Sequence, residues 1–165
     1  MTATNDSRIH RNRVLTTDAE LQDLLGLLLQ RANQRQFWMV FIGADGRVAG
    51  PLMPMADHPA TPEQLCETLD LGTVPFAEVI VNRAGSVCEM IGEVSVVFVW
   101  ERIGPPKPNR LDLRWARAIA REAERVGVPI RAQFILHTGG VRQIAAQELR
   151  DPAVAEEGDG EARAA

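Results

Sequence analysis

The sequence is poor in the residues that most often build metal and redox sites. Its 165 residues include only three histidines (His10, His58 and His137) and two cysteines (Cys66 and Cys88). The cysteines lack the paired spacing of a disulfide framework, which is typical of reduced thiols in a cytoplasmic protein. So few histidines limit any metal site, and the sequence predicts no cofactor.

Long apolar runs are also missing. The opening segment, MTATNDSRIHRNR, lacks the apolar core of a secretory signal, and the longest apolar runs are far too short to cross a bilayer. With 45% apolar residues the chain can still build a core, and a formal net charge of −4 gives no general attraction to nucleic acid. We therefore expect a cytoplasmic protein without a membrane segment.

The chain is expected to form one domain with two polar ends. Residues 1–13 are polar and basic, and we predict a disordered arm. Residues 151–165 (DPAVAEEGDGEARAA) are small and acidic, and we predict a disordered tail. The single domain then covers residues 14–150.

The clearest pattern of elements begins after Glu93. Val94 to Trp100 is a short β-branched apolar run, typical of a strand that is covered on both faces. Gly104 and the prolines up to Pro108 exclude regular structure from the turn that follows. Asn109 then lies where a helix N-cap belongs, with Asp112 three residues later. The pattern predicts a strand, a proline-rich turn and a long helix over 109–127.

The flanking segments complete a mixed pattern. Capping residues and apolar periodicity predict first a helix over 17–34, a strand over 37–43, a hairpin turn over 44–47 and a return strand over 48–53. A proline-rich loop that contains His58 follows, and then a short helix from Thr61 that ends by Gly72 and a helix over 75–92. After the long helix, strands are predicted over 128–137 and 141–144. This order predicts an α/β (α+β) fold, with a mixed sheet of about five strands flanked by three to four helices.

The first helix is rich in leucine. One face carries Leu21, Leu24, Leu25, Leu28 and Leu29, which favours packing against the core. Leu27 widens the apolar face beyond what one core contact needs. A homodimer through this helix is therefore the alternative interpretation.

The long helix carries a row of arginines, which we call the arginine face. It consists of Arg110, Arg114, Arg117, Arg121 and Arg125, which fall within an arc of roughly 80°. A solvated face paired with Glu122 and Glu124 is the simpler interpretation, and a docking surface for an anionic partner is the alternative. Nucleic acid is not favoured, since no aromatic residue lies among the arginines to stack on bases.

This order of strand, proline-rich turn, Asp-bearing helix and strand resembles the JAB/MPN (cytidine-deaminase-like) metalloprotein fold. It is closest to the bacterial RadC-type branch, whose metal motif is His, any residue, His, seven residues, Ser, two residues, Asp. The same spacing falls here on Val99, Glu101, Asn109 and Asp112, with Gly104, Pro106 and Pro108 at family glycine and proline positions. The hairpin segment FWMVFIGADGRVAG and the segment VGVPIRAQFIL also resemble family strands, so the similarity covers roughly residues 36–145.

The departures from the family motif bear on function. Family members use two imidazoles, a carboxylate and a water on zinc, whereas Val99 cannot bind a metal and Glu101 replaces the second histidine. The family's general-base Glu would fall near Pro51 and Leu52, where no carboxylate stands. Only Asp112 keeps its family position, and a carboxylate there also stabilises a helix start. We expect a vestigial site, a shallow dent bounded by Trp100, Glu101, Asn109, Asp112 and Trp115.

Three functions follow from the resemblance. The first is a catalytically inactive JAB/MPN-like domain that binds or scaffolds a protein partner. The second is a nucleic-acid-associated RadC-like protein that uses the arginine face. The third is a metal-dependent hydrolase with a site rebuilt from Asp112, Glu101 and either His58 or His137. For the fold, the leading helix and hairpin also resemble small roadblock-like dimerisation modules.

Overall fold

The structure is a computed structural model that describes residues 10–150. The predicted acidic tail and the first nine residues of the predicted arm lie outside this range. The helices are α1 (Asp18–Leu29), α2 (Phe76–Ile91), α3 (Arg110–Val126) and α4 (Ala146–Arg150), and the strands are β1 (Gln36–Gly43), β2 (Val48–Ala56), β3 (Leu65–Thr68), β4 (Gly72–Pro75), β5 (Val94–Glu101), β6 (Ile130–His137) and β7 (Gly140–Gln143).

Five of the strands form one mixed sheet in the order β2-β1-β5-β6-β7. β5 and β6 are parallel, whereas the other neighbouring pairs are antiparallel. The parallel pair needs a crossover connection, and α3 provides it. The predicted mixed sheet of about five strands with three to four helices is confirmed.

The two faces of the sheet are covered by different helices. Successive side chains of a strand point to opposite faces. Phe98 and Trp100 of β5 therefore join the cluster that packs under α2 and α3, while Val97 and Val99 join the cluster under α1. Both clusters contain side chains that are fully buried. The alternation along β5 thus decides on which side of the sheet each predicted site residue lies.

The β1–β2 hairpin forms as predicted, but β2 is longer than expected. Gly46 has φ +78° in the turn, and the Gly43 amide donates to the Arg47 carbonyl at 2.8 Å. The proline-rich loop predicted after residue 53 begins only after Ala56, because β2 continues past Pro54. β2 is an edge strand, where a proline's missing N–H does not break the sheet.

The short helix predicted from Thr61 to Gly72 is wrong. Residues 61–64 make a single turn, and the chain then forms the two-stranded β3–β4 sheet. The Thr68 hydroxyl holds the hairpin turn, since it accepts from the Leu71 amide and donates to the Gly72 carbonyl, each at 2.9 Å. The capping residues at Thr61 therefore begin a turn that no apolar helix face continues.

The helix boundaries mostly agree with the prediction. Thr17 caps α1 by accepting from the Glu20 amide at 3.2 Å, but α1 ends at Leu29 rather than near residue 34. The chain leaves the helix early because Ala32 donates to the His137 carbonyl at the end of β6. α2 matches its predicted range, and Cys66 and Cys88 are free thiols, as predicted.

Within residues 10–150 no helix combines the length and the apolar character that a bilayer span requires.

Candidate functional site

The best-defined polar site lies at the start of α3. Asn109 and Asp112 form a reciprocal capping box. The Asn109 side chain accepts from the Asp112 amide at 2.8 Å, and the Asp112 carboxylate accepts from the Asn109 amide at 2.9 Å. Two of the predicted site positions therefore meet, and they do so in the capping role that the sequence pattern indicates.

Arg102 supplies the cationic partner of this carboxylate. Its Nε and Nη2 atoms donate to Asp112 Oδ2 at 3.1 and 2.8 Å. The same guanidinium donates to the carbonyls of Pro105 and Lys107, at 2.6 and 3.1 Å. Only 15% of the Arg102 side chain and 8% of the Asp112 side chain are exposed. Arg102 thus links the proline-rich turn to the start of α3 by hydrogen bonds. The sequence pattern did not identify Arg102 as a site residue.

Glu101 is buried on the other face of the sheet and has its own donors. Oε1 accepts from the Asn33 amide at 2.9 Å and from the Gln34 amide at 3.4 Å. Oε2 accepts from Gln36 Nε2 at 2.6 Å and from Trp38 Nε1 at 2.8 Å. These four donors use the acceptor sites of both oxygens. Glu101 therefore holds the connection between α1 and β1.

The four positions that the resemblance marks do not converge. Val99 is fully buried in the cluster under α1. Glu101 and Asp112 share no hydrogen-bonding partner in the described part of the chain. Trp100 and Trp115 pack with ring centroids 5.5 Å apart in the core under α3, on the face opposite Glu101. The dent predicted between these residues is not a single site, because strand alternation directs Trp100 and Glu101 to opposite faces.

His58, from the loop after β2, is enclosed by aromatic rings. Its ring centroid lies 5.3 Å from Phe37, 6.1 Å from Trp100 and 5.2 Å from Trp115. Nδ1 is buried and has no hydrogen-bonding partner in the structure of residues 10–150. Burial, together with the nearby Arg35 guanidinium, lowers the pKa of His58 to about 4. The ring is therefore neutral at physiological pH and acts as a core side chain.

The loop that carries His58 is fixed by its backbone. Arg35 donates to the carbonyls of His58 and Pro59 at 2.6 and 2.7 Å. Trp115 Nε1 donates to the Ala60 carbonyl at 3.1 Å. These bonds hold a loop that sequence analysis could identify only by its prolines.

His137 is the third histidine considered for a rebuilt metal site. Its Nδ1 accepts from the Gly139 amide at 3.0 Å, and burial together with Arg102 and Arg142 lowers the pKa of the ring. No three His, Cys, Asp or Glu side chains between residues 10 and 150 are grouped so that they could hold a metal ion. The described residues thus do not assemble the rebuilt site.

The arginine face lies on α3, and several of its members already have partners. Arg114 pairs with Glu63 at 2.9 Å. Arg125 pairs with Glu122 and lies 3.6 Å from a Glu78 oxygen. Arg117 is half-buried and donates to the Glu148 carbonyl of α4 at 2.9 Å. The face is therefore partly neutralised by Glu122, which the sequence pattern indicates, and by Glu63 and Glu78, which it does not.

Arg121 differs from its neighbours on this face. It is exposed and makes no ion pair with another described residue. Arg114 and Arg125 are also more than half exposed, and so is Glu63, the partner of Arg114. Exposed pairs of this kind contribute little to stability and can exchange partners. The guanidinium groups of this face are therefore either open to solvent or held in exposed pairs.

A cleft of about 440 Å³ lies between α3, β6, β7 and α4. Its floor is apolar, with Ile130, Ile144 and Leu149, and its lining includes both acidic and basic residues. An ion pair between Asp18 and Arg131 is part of that lining. Because the charges are of both signs, the cleft does not indicate one class of ligand.

Comparison with protein-family models and with curated protein sequences finds no match to this chain. The function therefore has to be argued from the geometry above.

Proposed function

We propose that this chain is a non-catalytic domain of JAB/MPN type, closest to the RadC branch, which binds a protein partner. The observation that carries the proposal is the ion pair between Arg102 and Asp112. Asp112 is the one position at which this chain retains a metal ligand of the family, and its carboxylate is already paired with Arg102 of the same chain.

The cost of displacing Arg102 supports this proposal. A metal ion that took Asp112 would leave the guanidinium with 15% of its side chain exposed and without its carboxylate. Breaking a buried pair by removing one partner costs about 3–5 kcal/mol. The Arg102–Asp112 pair is close to full burial, so a cost near this range applies to it. The strand positions Val99 and Glu101 do not offset this cost by binding the metal. Val99 has no ligand atom, and the Glu101 oxygens already accept hydrogen bonds.

The order of the elements also supports the fold type. The parallel β5–β6 pair, joined by the proline-rich turn and α3, accords with the strand, turn, helix and strand order on which the resemblance rests. The β1–β2 hairpin accords with the family's first two strands. The fold type is thus argued from topology as well as from residue spacing.

The arginine face is the surface that we assign to the partner. Arg114, Arg121 and Arg125 are exposed along one side of α3, so they offer guanidinium groups to an acidic protein segment. Charge-assisted bonds between guanidinium and carboxylate are among the stronger hydrogen bonds in proteins. Nucleic acid is the less favoured ligand, since no aromatic residue lies among the arginines to stack on bases. A hydrolase is less well supported, because no metal-holding group of carboxylates and histidines occurs between residues 10 and 150.

The non-catalytic part of the proposal is tested by metal content. Purified chain and the Asp112→Asn variant are incubated with zinc, desalted and measured by elemental mass spectrometry. We expect neither protein to retain zinc. About one zinc per chain in the wild type, lost in Asp112→Asn, would show a metal site and overturn this part of the proposal.

The partner-binding part is tested by charge reversal. Immobilised wild type, the double variant Arg114→Glu/Arg121→Glu and the control Arg31→Glu are used to capture proteins from a lysate of the source cells. A captured protein is then purified and titrated by calorimetry against each form. We expect the double variant to lose binding and Arg31→Glu to retain it, because Arg31 is exposed in the loop after α1. Equal affinity for all three forms would rule out the arginine face.

A further inference from the structure

The formal charge of this chain is divided unevenly. Residues 151–165 contain five carboxylate residues and one arginine, so this segment carries the whole formal net charge of −4. The preceding 150 residues are balanced. This balance holds only for the 150 residues as a whole, because the arginine face concentrates five cations on one side of α3. An acidic segment and a basic surface thus belong to the same chain.

The acidic segment begins beside the arginine face. α4 ends at Arg150, and Leu149 packs against the core cluster under α3. Arg117 Nε donates to the Glu148 carbonyl at 2.9 Å, which ties the last turn of α4 to α3. Asp151 is only three residues beyond Glu148. The described chain therefore ends close to the basic side of α3, one residue before the first carboxylate of the segment.

The next cation on this side of α3 is well placed for such a segment. Arg121 is one helical turn from Arg117, about 6 Å along the helix axis. It is exposed and makes no ion pair with any residue in the range 10–150. Arg114 lies nearly one turn from Arg117 in the other direction, and its ion-pair partner Glu63 is itself half exposed. Carboxylates that reach this surface meet guanidinium groups that are open or weakly paired.

The length of the segment is sufficient to cover the helix. Fifteen residues span at most about 50 Å when extended. α3 has 17 residues and is about 26 Å long. The acidic cluster Glu156, Glu157, Asp159 and Glu161 can therefore face any part of the arginine face without strain in the connection.

We propose that residues 151–165 dock on the arginine face of the same molecule and compete with any external acidic partner. The docking is argued from charge and connectivity and does not depend on the proposed function. The competition does rest on it, since it concerns the same surface. In this arrangement the segment acts as a built-in substitute for a partner, and its release exposes the arginines.

Paramagnetic relaxation in the full-length chain tests the docking. A nitroxide is attached to Ala162→Cys in a Cys66→Ser background, since Cys88 is buried and poorly accessible to the label. At about 20 mM NaCl we expect the amide signals of α3 around Arg121 to lose intensity. The loss should disappear at about 0.5 M NaCl, where exposed charges are screened over about 4 Å.

Matched variants decide the origin of the effect. Arg114→Glu/Arg121→Glu should abolish the loss of intensity on α3, and Arg31→Glu should leave it unchanged. The tail variant Glu156→Gln/Glu157→Gln/Asp159→Asn/Glu161→Gln should abolish it as well. Unchanged α3 signals in the labelled wild type, or the same loss in Arg114→Glu/Arg121→Glu, would overturn the proposal.

A mixed sample distinguishes docking within one molecule from docking between copies. Spin-labelled chain without ¹⁵N is mixed with unlabelled ¹⁵N chain. We expect no loss of intensity in this sample, and a loss equal to that in the labelled protein would overturn docking in the same molecule. These outcomes are independent of the partner titration, in which the tail variant should bind more tightly than the wild type if both proposals hold.

Discussion

At the scale of single residues, the buried carboxylate of Glu101 accepts four hydrogen bonds. It receives two backbone amides and two side-chain N–H groups from the segment that joins α1 to β1. Hydrogen bonds to a charged group contribute more than neutral ones, and a buried donor left without an acceptor is costly. The start of β1 therefore depends on one side chain at the end of β5.

Glu101→Gln is expected to destabilise the fold by about 2–4 kcal/mol, because the amide replaces one acceptor oxygen by an N–H₂ group that faces other donors. The measurement is the free energy of unfolding in urea. Glu89→Gln, at an exposed position of α2, is the matched control and should change it little. A Glu101→Gln variant as stable as the control would show that the bonds to Glu101 are dispensable.

His58 makes stability depend on pH. Its pKa is lowered to about 4 in the folded state, so between about pH 4 and pH 6.5 the unfolded chain binds a proton that the folded chain does not. The free energy of unfolding therefore falls as the pH falls from 7 to 5, by about 1–2 kcal/mol from this group. His137, whose pKa is also lowered, acts in the same direction.

The variant His58→Leu tests this dependence. It places an apolar side chain among the aromatic rings and removes the titrating group. We expect a smaller loss of unfolding free energy between pH 7 and pH 5 than in the wild type, measured by urea unfolding at each pH. An equal loss in both proteins would exclude His58 as a source of the dependence.

The residue contacts show what a sequence can predict at this scale. Asn109 and Asp112 were predictable because the capping box joins residues only three apart. The contact of Arg102 with Asp112 was not, because it depends on how the turn between them folds back. The aromatic surroundings of His58 come from three different elements, and no local pattern marks them.

At the scale of elements, two helical glycines have opposite surroundings. A Cβ atom at Gly85 in α2 would lie 2.9 Å from Val128 Cγ2, whereas one at Gly26 in α1 would have no heavy atom within 4 Å. Gly85 weakens the helix pattern of α2 in the sequence, yet α2 forms. The glycine lets α2 approach the segment that follows α3.

Alanine at the two glycines should therefore have opposite effects. Gly26→Ala is expected to stabilise the protein by about 0.5–1 kcal/mol through helix propensity. Gly85→Ala gains the same propensity but forces Val128 to move, and we expect a net loss of about 1–2 kcal/mol. Thermal and urea unfolding of both variants test the contrast, and a stabilised Gly85→Ala would show that α2 and Val128 can separate at no cost.

Element types were predictable where burial is one-sided or complete. β1, β5 and α3 carry strong apolar patterns and were predicted close to their observed ranges. The β3–β4 hairpin was missed because its strands are exposed or half-buried, so that they show no apolar alternation. The capping residues at Thr61 then favoured a helix that the following residues do not support.

At the scale of the whole molecule, the sheet has two edges of different kinds. β7 is short, and its Gln143 amide donates to the Gln22 side chain of α1. β2 is longer and carries Pro51 and Pro54. Exposed edge strands can pair with other chains, and prolines remove N–H donors from such an edge. The two prolines thus leave the edge strand with fewer N–H donors to offer another chain.

Pro51→Thr/Pro54→Thr is therefore expected to associate at concentrations at which the wild type does not. Threonine restores two N–H donors and favours strand structure. Sedimentation velocity across a concentration series measures the effect, with Pro105→Thr, in the exposed turn outside the sheet, as the control. If the double variant sediments like the control at every concentration, the prolines do not protect the edge.

The fold class could be predicted from sequence, but the arrangement of the site residues could not. The mixed sheet and its helices follow from local periodicity. Glu101 and Asp112 are separated because Glu101 lies on the face of the sheet that α1 covers, whereas Asp112 belongs to α3 on the other face. Which helix covers which face is set by packing across the sheet.

The position of β1 in the sheet has a consequence for synthesis on the ribosome. β1 lies between β2 and β5, and Phe37 pairs with Trp100, which is 63 residues later in the chain. Translation at about 5–20 residues per second separates the two residues by about 3–13 s. During that interval the nascent chain has β1 and β2 available but not β5. The apolar segment FWMVFI then lacks one of its two neighbouring strands, and a ribosome-associated chaperone could bind it during this interval.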